Sequence, residues 1–268
     1  MKLIEFAYKN IHRFGGDKNI LHICHEDVLN QIQDNKFNII TKSRRVGLTS
    51  LFALYLTWEL LYGNKKNFIL LEDRNHMIYF LIREYLYRDF PYYAYSIGSK
   101  GFDNNNVILF NGVKINFISD FHDIRNLILK GTRYSLILDD VIFNNNGNQF
   151  HFSEFIVKEI MVYGTILELT VATTMSEDNI IFMDGIRLPM SGVIVPYKLH
   201  YSKVPFWTIY DLEQLSKTLQ PHIWAMTMDC EIDAISPWYN KTIELKPFKT
   251  QKMLEIENFM LNEINNYD

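Results

Sequence analysis

The chain is predicted to fold as an α/β protein: a mostly parallel central sheet flanked by helices, followed by a small helical C-terminal subdomain. Three observations carry this. Short apolar runs, Phe68-Ile69-Leu70-Leu71 and Ser135 to Leu138, are of the kind buried in parallel sheets. They alternate with segments of helical period, which places connections on both faces of a sheet. After about Lys203 the strands give way to helical patterns near Pro205 and Pro221.

The elements follow in order. Residues 1–36 carry two helical patterns around Gly15-Gly16, the second running through Val28, Leu29 and Ile32. Phe37 to Thr41 reads as the first strand. An amphipathic helix is expected from about Thr49 to Tyr62, stopped by Gly63-Asn64. Phe68 to Leu71 is the next strand, and Asn75 to Tyr87 has helical period. Val107 to Phe110 and Val113 to Ile118 should form a hairpin about Asn111-Gly112, a favoured two-residue turn. Ser135 to Leu138 is a buried strand ending at Asp139-Asp140. Glu154 to Tyr163 should be a helix and Ile166 to Ala172 a strand ending at Thr173-Thr174. Two helices follow, at Asp211–Leu219 and near His222–Met228. The Asn104–Asn106 and Asn144–Asn146 runs read as solvated loops.

At 268 residues, 48% hydrophobic and 15% aromatic, the chain can bury a substantial core. A net charge of −4 argues against a uniformly basic nucleic-acid coat but leaves room for local basic stripes. Two distant cysteines, Cys24 and Cys230, indicate no disulfide framework and fit a reducing compartment. No signal peptide is visible. The most apolar window, Leu48 to Tyr62, is too short and too polar to span a bilayer.

The chemistry begins at Lys42-Ser43-Arg44-Arg45-Val46-Gly47-Leu48-Thr49-Ser50, between a strand and a helix. A strand, a tight turn and a helix N-terminus make an anion site. Gly47 allows close backbone approach, and the Thr49 hydroxyl is placed to reach Mg²⁺. The standard loop has Lys where this one has Leu48. Lys42, at the opening of the loop, could fold back over the β- and γ-phosphates; Arg44 and Arg45 could also contact phosphate or act across a subunit boundary. The plain alternative is a basic surface turn.

Asp139-Asp140 ends an apolar strand, as in enzymes where the first acid holds Mg²⁺ and the second polarises water. Asp140 is one methylene shorter than the usual Glu. Two acids capping a strand exit are the alternative. Thr173-Thr174 ends another strand and could sense the γ-phosphate; ordinary strand-end hydrogen bonding would also account for it.

Taken together, the order and spacing of these three motifs resemble the ATPase domain of phage terminase large subunits, which are DNA-packaging motors. The resemblance covers about residues 20–236. Lys130-Gly131-Thr132-Arg133-Tyr134, Asn179-Ile180-Ile181-Phe182, and Trp224 to Ile232 are similar to further segments of that family. Some members open the loop Lys-Ser-x-Arg-Val-Gly, matching Lys42 to Gly47. The resemblance therefore implies a P-loop NTPase of the ASCE type over residues 1–202, with a helical lid, linker and tail over 203–268. It implies ATP and Mg²⁺ as cofactors and Lys42 as the phosphate-binding lysine. Residues 42–50 would line the nucleotide site, Thr49 and Asp139 would hold the metal, and Lys42, Arg44, Asp140 and Thr173 would be catalytic. Arg44, Arg74 and Arg83 are candidates for an arginine acting in trans within a homo-oligomeric ring. Implied partners are double-stranded DNA, a portal protein and a small terminase subunit, in the host cell cytoplasm and with no membrane.

Two departures stand out: Asp140 replaces the usual Glu, and the family's C-terminal nuclease domain is not expected in the about thirty residues after Ser236. The chain would then be an isolated ATPase domain, a naturally split protein with a separate nuclease as partner, or a relative without cutting activity. An inactive, nucleotide-binding assembly module is the alternative function, and a helicase-like ATPase a third. His22, Cys24 and His25 lack a distal pair for a metal site, and His22 to Gln31 could wall the adenine. The aromatic clusters Tyr85–Tyr95 and Phe206–Trp207 read as core more than as DNA-stacking surfaces. The segment from Glu255 reads as an amphipathic tail helix.

Overall fold

The alternating pattern resolves into one eight-stranded sheet in the computed structural model of the protein, which describes residues 1–15, 21–63, 67–72, 77–91, 99–100, 106–128, 132–140, 148–203 and 209–230. The strands are β1 (Phe37–Lys42), β2 (Asn67–Leu71), β3 (Ser99–Lys100), β4 (Asn106–Phe110), β5 (Val113–Ile118), β6 (Tyr134–Asp139), β7 (Ile166–Thr173) and β8 (Val195–Leu199). Their order is β3-β4-β5-β2-β6-β7-β1-β8. The run from β5 to β8 is parallel throughout, and β4 and β3 add an antiparallel edge. All described residues belong to one compact unit, Met1–Ile235. The Asn104-Asn105 and Asn144–Asn146 loops, Phe206–Trp207 and the tail from Glu255 lie outside the described residues.

The hairpin forms where expected. Asn111 and Gly112 have φ of 50° and 77°, the doubly left-handed turn that matches strand twist. β8 was not anticipated, because Pro196 interrupts its pattern. It lies at the sheet edge beside β1 alone, where a missing N–H costs no ladder bond.

The helices are α1 (Leu3–Asn10), α2 (Ile23–Asp34), α3 (Leu48–Tyr62), α4 (Met77–Asp89), α5 (Phe121–Leu127), α6 (Asn148–Met161), α7 (Glu177–Arg187), α8 (Ile209–Thr218) and α9 (Pro221–Thr227). The expected amphipathic character of α3 is corrected: every residue from Leu51 to Thr57 is buried, with Leu48, Glu59 and Leu60. The reason is its place between β5 and the layer formed by α1, α2 and α4. A helix apolar all round is a central helix.

Alternation along the strands separates two cores. Ile40, Phe68, Leu70, Ile115, Phe117 and Ile137 join the side chains of α1 to α4 in one cluster. Tyr85 of α4 belongs there, stacked on Phe14 at 5.2 Å, so it is core as expected; Tyr92 to Tyr95 lie outside the described residues. A second cluster centres on Phe152 of α6, between Phe121 and Phe182 at 5.0 and 5.5 Å.

α6 and α7 pack at Gly185. A Cβ there would sit 2.3 Å from Ser153 Oγ and 2.9 Å from its Cβ, inside van der Waals contact. Gly185→Ala is expected to destabilise the protein by about 1–3 kcal/mol, read as a lower urea midpoint with an unchanged m-value. Pairing it with Ser153→Gly should recover part of the loss; no recovery would place the strain elsewhere.

Candidate functional site

Parallel register brings the chemistry-bearing residues to one edge. Thr41 of β1 pairs with Thr173 of β7, Ala172 with Asp139 of β6, and Lys42 with Leu199 of β8. β7 lies between β1 and β6, and the chain leaves β1 toward β2 on one side while it leaves β7 toward β8 on the other. Ligands of open α/β sheets bind at such reversals, beyond the carboxyl ends of the strands.

The turn from β1 into α3 uses two left-handed residues, Arg45 at φ 55° and Gly47 at φ 79°. Gly47 is the N-cap of α3 and offers no side chain to its first amides, leaving them suited to an anion. The loop's opening half is otherwise engaged. The Ser43 amide donates to Leu199 O at 3.0 Å and the Arg44 amide to Thr227 O at 3.1 Å. These two amides are thereby committed to protein carbonyls. Leu48 is buried in the core, so only its backbone can serve a nucleotide. Ser50 Oγ donates to Phe14 O at 3.0 Å. Val46 is buried, and its carbonyl is 2.8 Å from His25 Nε2.

Lys42 is the centre of the site. Its Nζ lies 2.9 Å from Asp139 Oδ1 and 2.7 Å from Asp140 Oδ2, while Thr49 Oγ1 donates to Asp139 Oδ2 at 3.0 Å. The side chains of Lys42 and Asp139 are 5% and 4% exposed, against 45% for Asp140. Asp140 is thus the carboxylate open to water. Burial presses the Lys42 ammonium toward neutrality, but Asp139 and Asp140 outweigh it and leave its pKa above the ordinary lysine value. Burial also raises the Asp139 carboxyl, helped by Asp140 and opposed by Lys42. These directions favour opposite protonation states of one pair. The contacts decide for the ionised pair, because both Asp139 oxygens accept from donors and a neutral acid would surrender one of those bonds.

Asp140 has φ 49°; its amide donates to Ala172 O at 2.9 Å, and its Oδ1 accepts from the Thr174 amide at 3.3 Å. Thr173 and Thr174 are held in turn by Asn179. Its Nδ2 donates to Thr173 Oγ1 at 2.7 Å and to Thr174 O at 2.8 Å, using both amide hydrogens. Ser176 caps α7 by accepting from the Asn179 amide at 3.2 Å.

The other expected residues fall differently. Arg44 and Arg45 are exposed. Arg83 sits in α4 against the rings of Tyr79 and Tyr87, 5.9 and 5.1 Å from their centroids. Arg74, Lys130, Gly131, Glu231 and Ile232 lie outside the described residues. His22, Cys24 and His25 form no metal-binding group: the two imidazoles lie 5.4 Å apart, but the Cys24 thiol donates to Lys203 O at 3.3 Å and His25 Nε2 is turned to the loop. Burial lowers the His25 pKa, so the neutral ring donates through Nε2 to the Val46 carbonyl. That role for His25, and the ties of Ser43 to Leu199, Tyr201 and Met228, carry no local sequence signal. Among the described residues no group of three or more His, Cys, Asp and Glu could hold a metal ion. The donors present, one carboxylate and one hydroxyl oxygen, fit Mg²⁺, which is commonly bound through one or two carboxylates plus substrate phosphates.

No protein-family model and no curated protein matches the chain. Solved structures do. The HK97 bacteriophage large terminase is similar with a TM-score of 0.51 at 16% identity, over 89% of this chain and 50% of its own. A large terminase from a thermophilic bacteriophage gives 0.50 at 14%, over 77% and 52%. The ATPase domain of a Thermus phage large terminase, an arginine-to-alanine variant, gives 0.50 at 12%, over 83% and 97%. The chain has the fold of phage large terminase ATPase domains. It spans about half the length of the first two large terminases.

Lys42→Met should cost about 3–5 kcal/mol at neutral pH, because it leaves Asp139 charged, buried and unpaired. The carboxyl would then titrate above its unfolded value of about 4. The penalty should be small below that pH and grow as the pH rises above it. Urea unfolding at two pH values reads this; an equal loss at both would contradict a buried ion pair.

Proposed function

We propose that the chain is the motor domain of a viral DNA-packaging terminase, hydrolysing ATP with Mg²⁺ to drive double-stranded DNA into a procapsid. The observation that carries this reading is the joining of Lys42, Thr49 and Asp139 at the mouth of an anion-binding turn. The fold shared with large terminase ATPase domains supports it.

Lys42 lies between the loop and both carboxylates, and its flexible stem suits a point charge that shifts to β- and γ-phosphate oxygens. Thr49 and Asp139 would hold Mg²⁺, which when bound neutralises charge developing on the phosphates. Asp140, the exposed carboxylate, would orient the attacking water. Thr173 and Thr174, fixed by Asn179 and joined to Asp140 through the Thr174 amide, would relay loss of the γ-phosphate to segment 203–236. A ring of subunits would supply an arginine in trans, for which Arg44, exposed on the loop itself, Arg74 and Arg83 are the candidates. Double-stranded DNA, a portal protein and a small terminase subunit are the partners this reading implies, in the host cytoplasm. Among the described residues no helix is long and apolar enough to cross a membrane.

A second reading is a nucleotide-binding assembly module without turnover, favoured by the short Asp140 side chain and its engagement with Lys42 and Thr174.

The test measures nucleotide binding and ATP turnover together, with and without DNA. Lys42→Ala and Asp139→Ala should each lower turnover by at least about 100-fold, chelation of Mg²⁺ should abolish it, and Asp140→Ala should cost about 10²–10⁴-fold. Full turnover in both Lys42→Ala and Asp139→Ala would overturn the assignment. Tight ATP binding with no hydrolysis, even with DNA and partners, would establish the second reading.

A further inference from the structure

The two residues after Lys42 are held by the far end of the chain. Ser43 is fully buried. Its hydroxyl donates to the Met228 carbonyl, accepts from the Tyr201 amide at 2.8 Å, and lies 3.6 Å from Cys230 Sγ. The hydroxyl is thus engaged both as donor and as acceptor. The Ser43 and Arg44 amides continue the seam to Leu199 and Thr227. A single step of the loop is thus bonded to the exit of β8 and to the C-terminal turn of α9.

Holding a phosphate does not require this arrangement, and it removes two loop amides from anion binding. The segment it grips is well packed: Met226, Thr227, Met228 and Cys230 are all buried. Cys230 stands at φ 54°, a left-handed backbone that a cysteine seldom adopts, at the point where it meets Ser43. By contrast, most side chains from Asp211 to Thr218 in α8 are exposed. The helical segment therefore has an anchored end at α9 and a lightly held one at α8.

We propose that Ser43 is a positioning residue that couples the phosphate loop to α9. When Lys42 leaves Asp139 and Asp140 for a phosphate, Ser43 shifts with it. The Met228 and Thr227 carbonyls then carry the displacement into the last turn of α9. The inference rests on the reading of residues 42–50 as a nucleotide phosphate site.

Trp224 of α9, edge-on to Tyr201 with ring centroids 6.1 Å apart, is a built-in reporter. In a chain with Trp58, Trp207 and Trp238 changed to Phe, ADP or a non-hydrolysable ATP analogue should shift Trp224 emission. Ser43→Ala should keep nucleotide affinity within about threefold and lose more than about half of that shift, a split between binding and response that general loss of structure would not produce. Cys230→Ala, which leaves the loop untouched, should lose a smaller part, and it decides the matter if Ser43→Ala does not fold. A full response in the folded variants, or a parent that binds nucleotide with no Trp224 response, overturns the coupling alone. A parent that binds neither nucleotide overturns the phosphate-site reading and the coupling with it.

Discussion

A lysine ammonium with almost no exposure stays charged only when anions replace the water it has lost. Lys42 meets that condition with two carboxylates, and the requirement organises the carboxyl edge of the sheet. It demands that β1 and β6 end at matched depth although β7 separates them, which the parallel register provides. Asp139 must in turn be shielded, which Thr49 does from the first turn of α3. Two carboxylates against one ammonium leave the cluster one negative charge in excess. Under the proposed reading, that excess is what a divalent cation would complement.

Much of this was legible in the sequence because the signals are local. Strands β1, β2, β6 and β7 announce themselves as apolar runs with polar ends, and Asn111-Gly112 marks its hairpin. Lys42, Thr49, Asp139 and Thr173 sit at strand ends and a helix start, so placing the elements places them. What escaped depends on tertiary context. β8 is a strand because an edge tolerates Pro196, a fact about its neighbours. α3 was expected to be amphipathic, yet its polar Glu59 and Thr57 are both buried with partners inside one turn: Tyr55 for the first, the Ala53 carbonyl for the second. The links from His25 to Val46 and from Ser43 to Tyr201 and Met228 join residues far apart in sequence, where no spacing rule reaches.

The loop accordingly divides into halves with different physics. From Ser43 to Arg44 it behaves as part of the core, with its amides bonded and the Ser43 side chain buried. From Arg45 to Thr49 it turns through left-handed backbone into a helix N-terminus. His25 holds the junction by its bond to the Val46 carbonyl.

Asp140 shows what backbone geometry can impose on chemistry. Left-handed conformation is several-fold enriched in Asn and Asp among residues bearing a side chain, since a short polar group bonds locally and relieves the crowding. At φ 49° the residue after the strand is therefore shaped for Asp, whose carboxylate also reaches the Thr174 amide. A longer acid would gain a methylene of reach and lose that local compensation. The identity of the water-facing acid is then a compromise between how far it must extend and how sharply the chain turns beneath it. A side chain can be selected by the bend of its own peptide as much as by the solvent it faces.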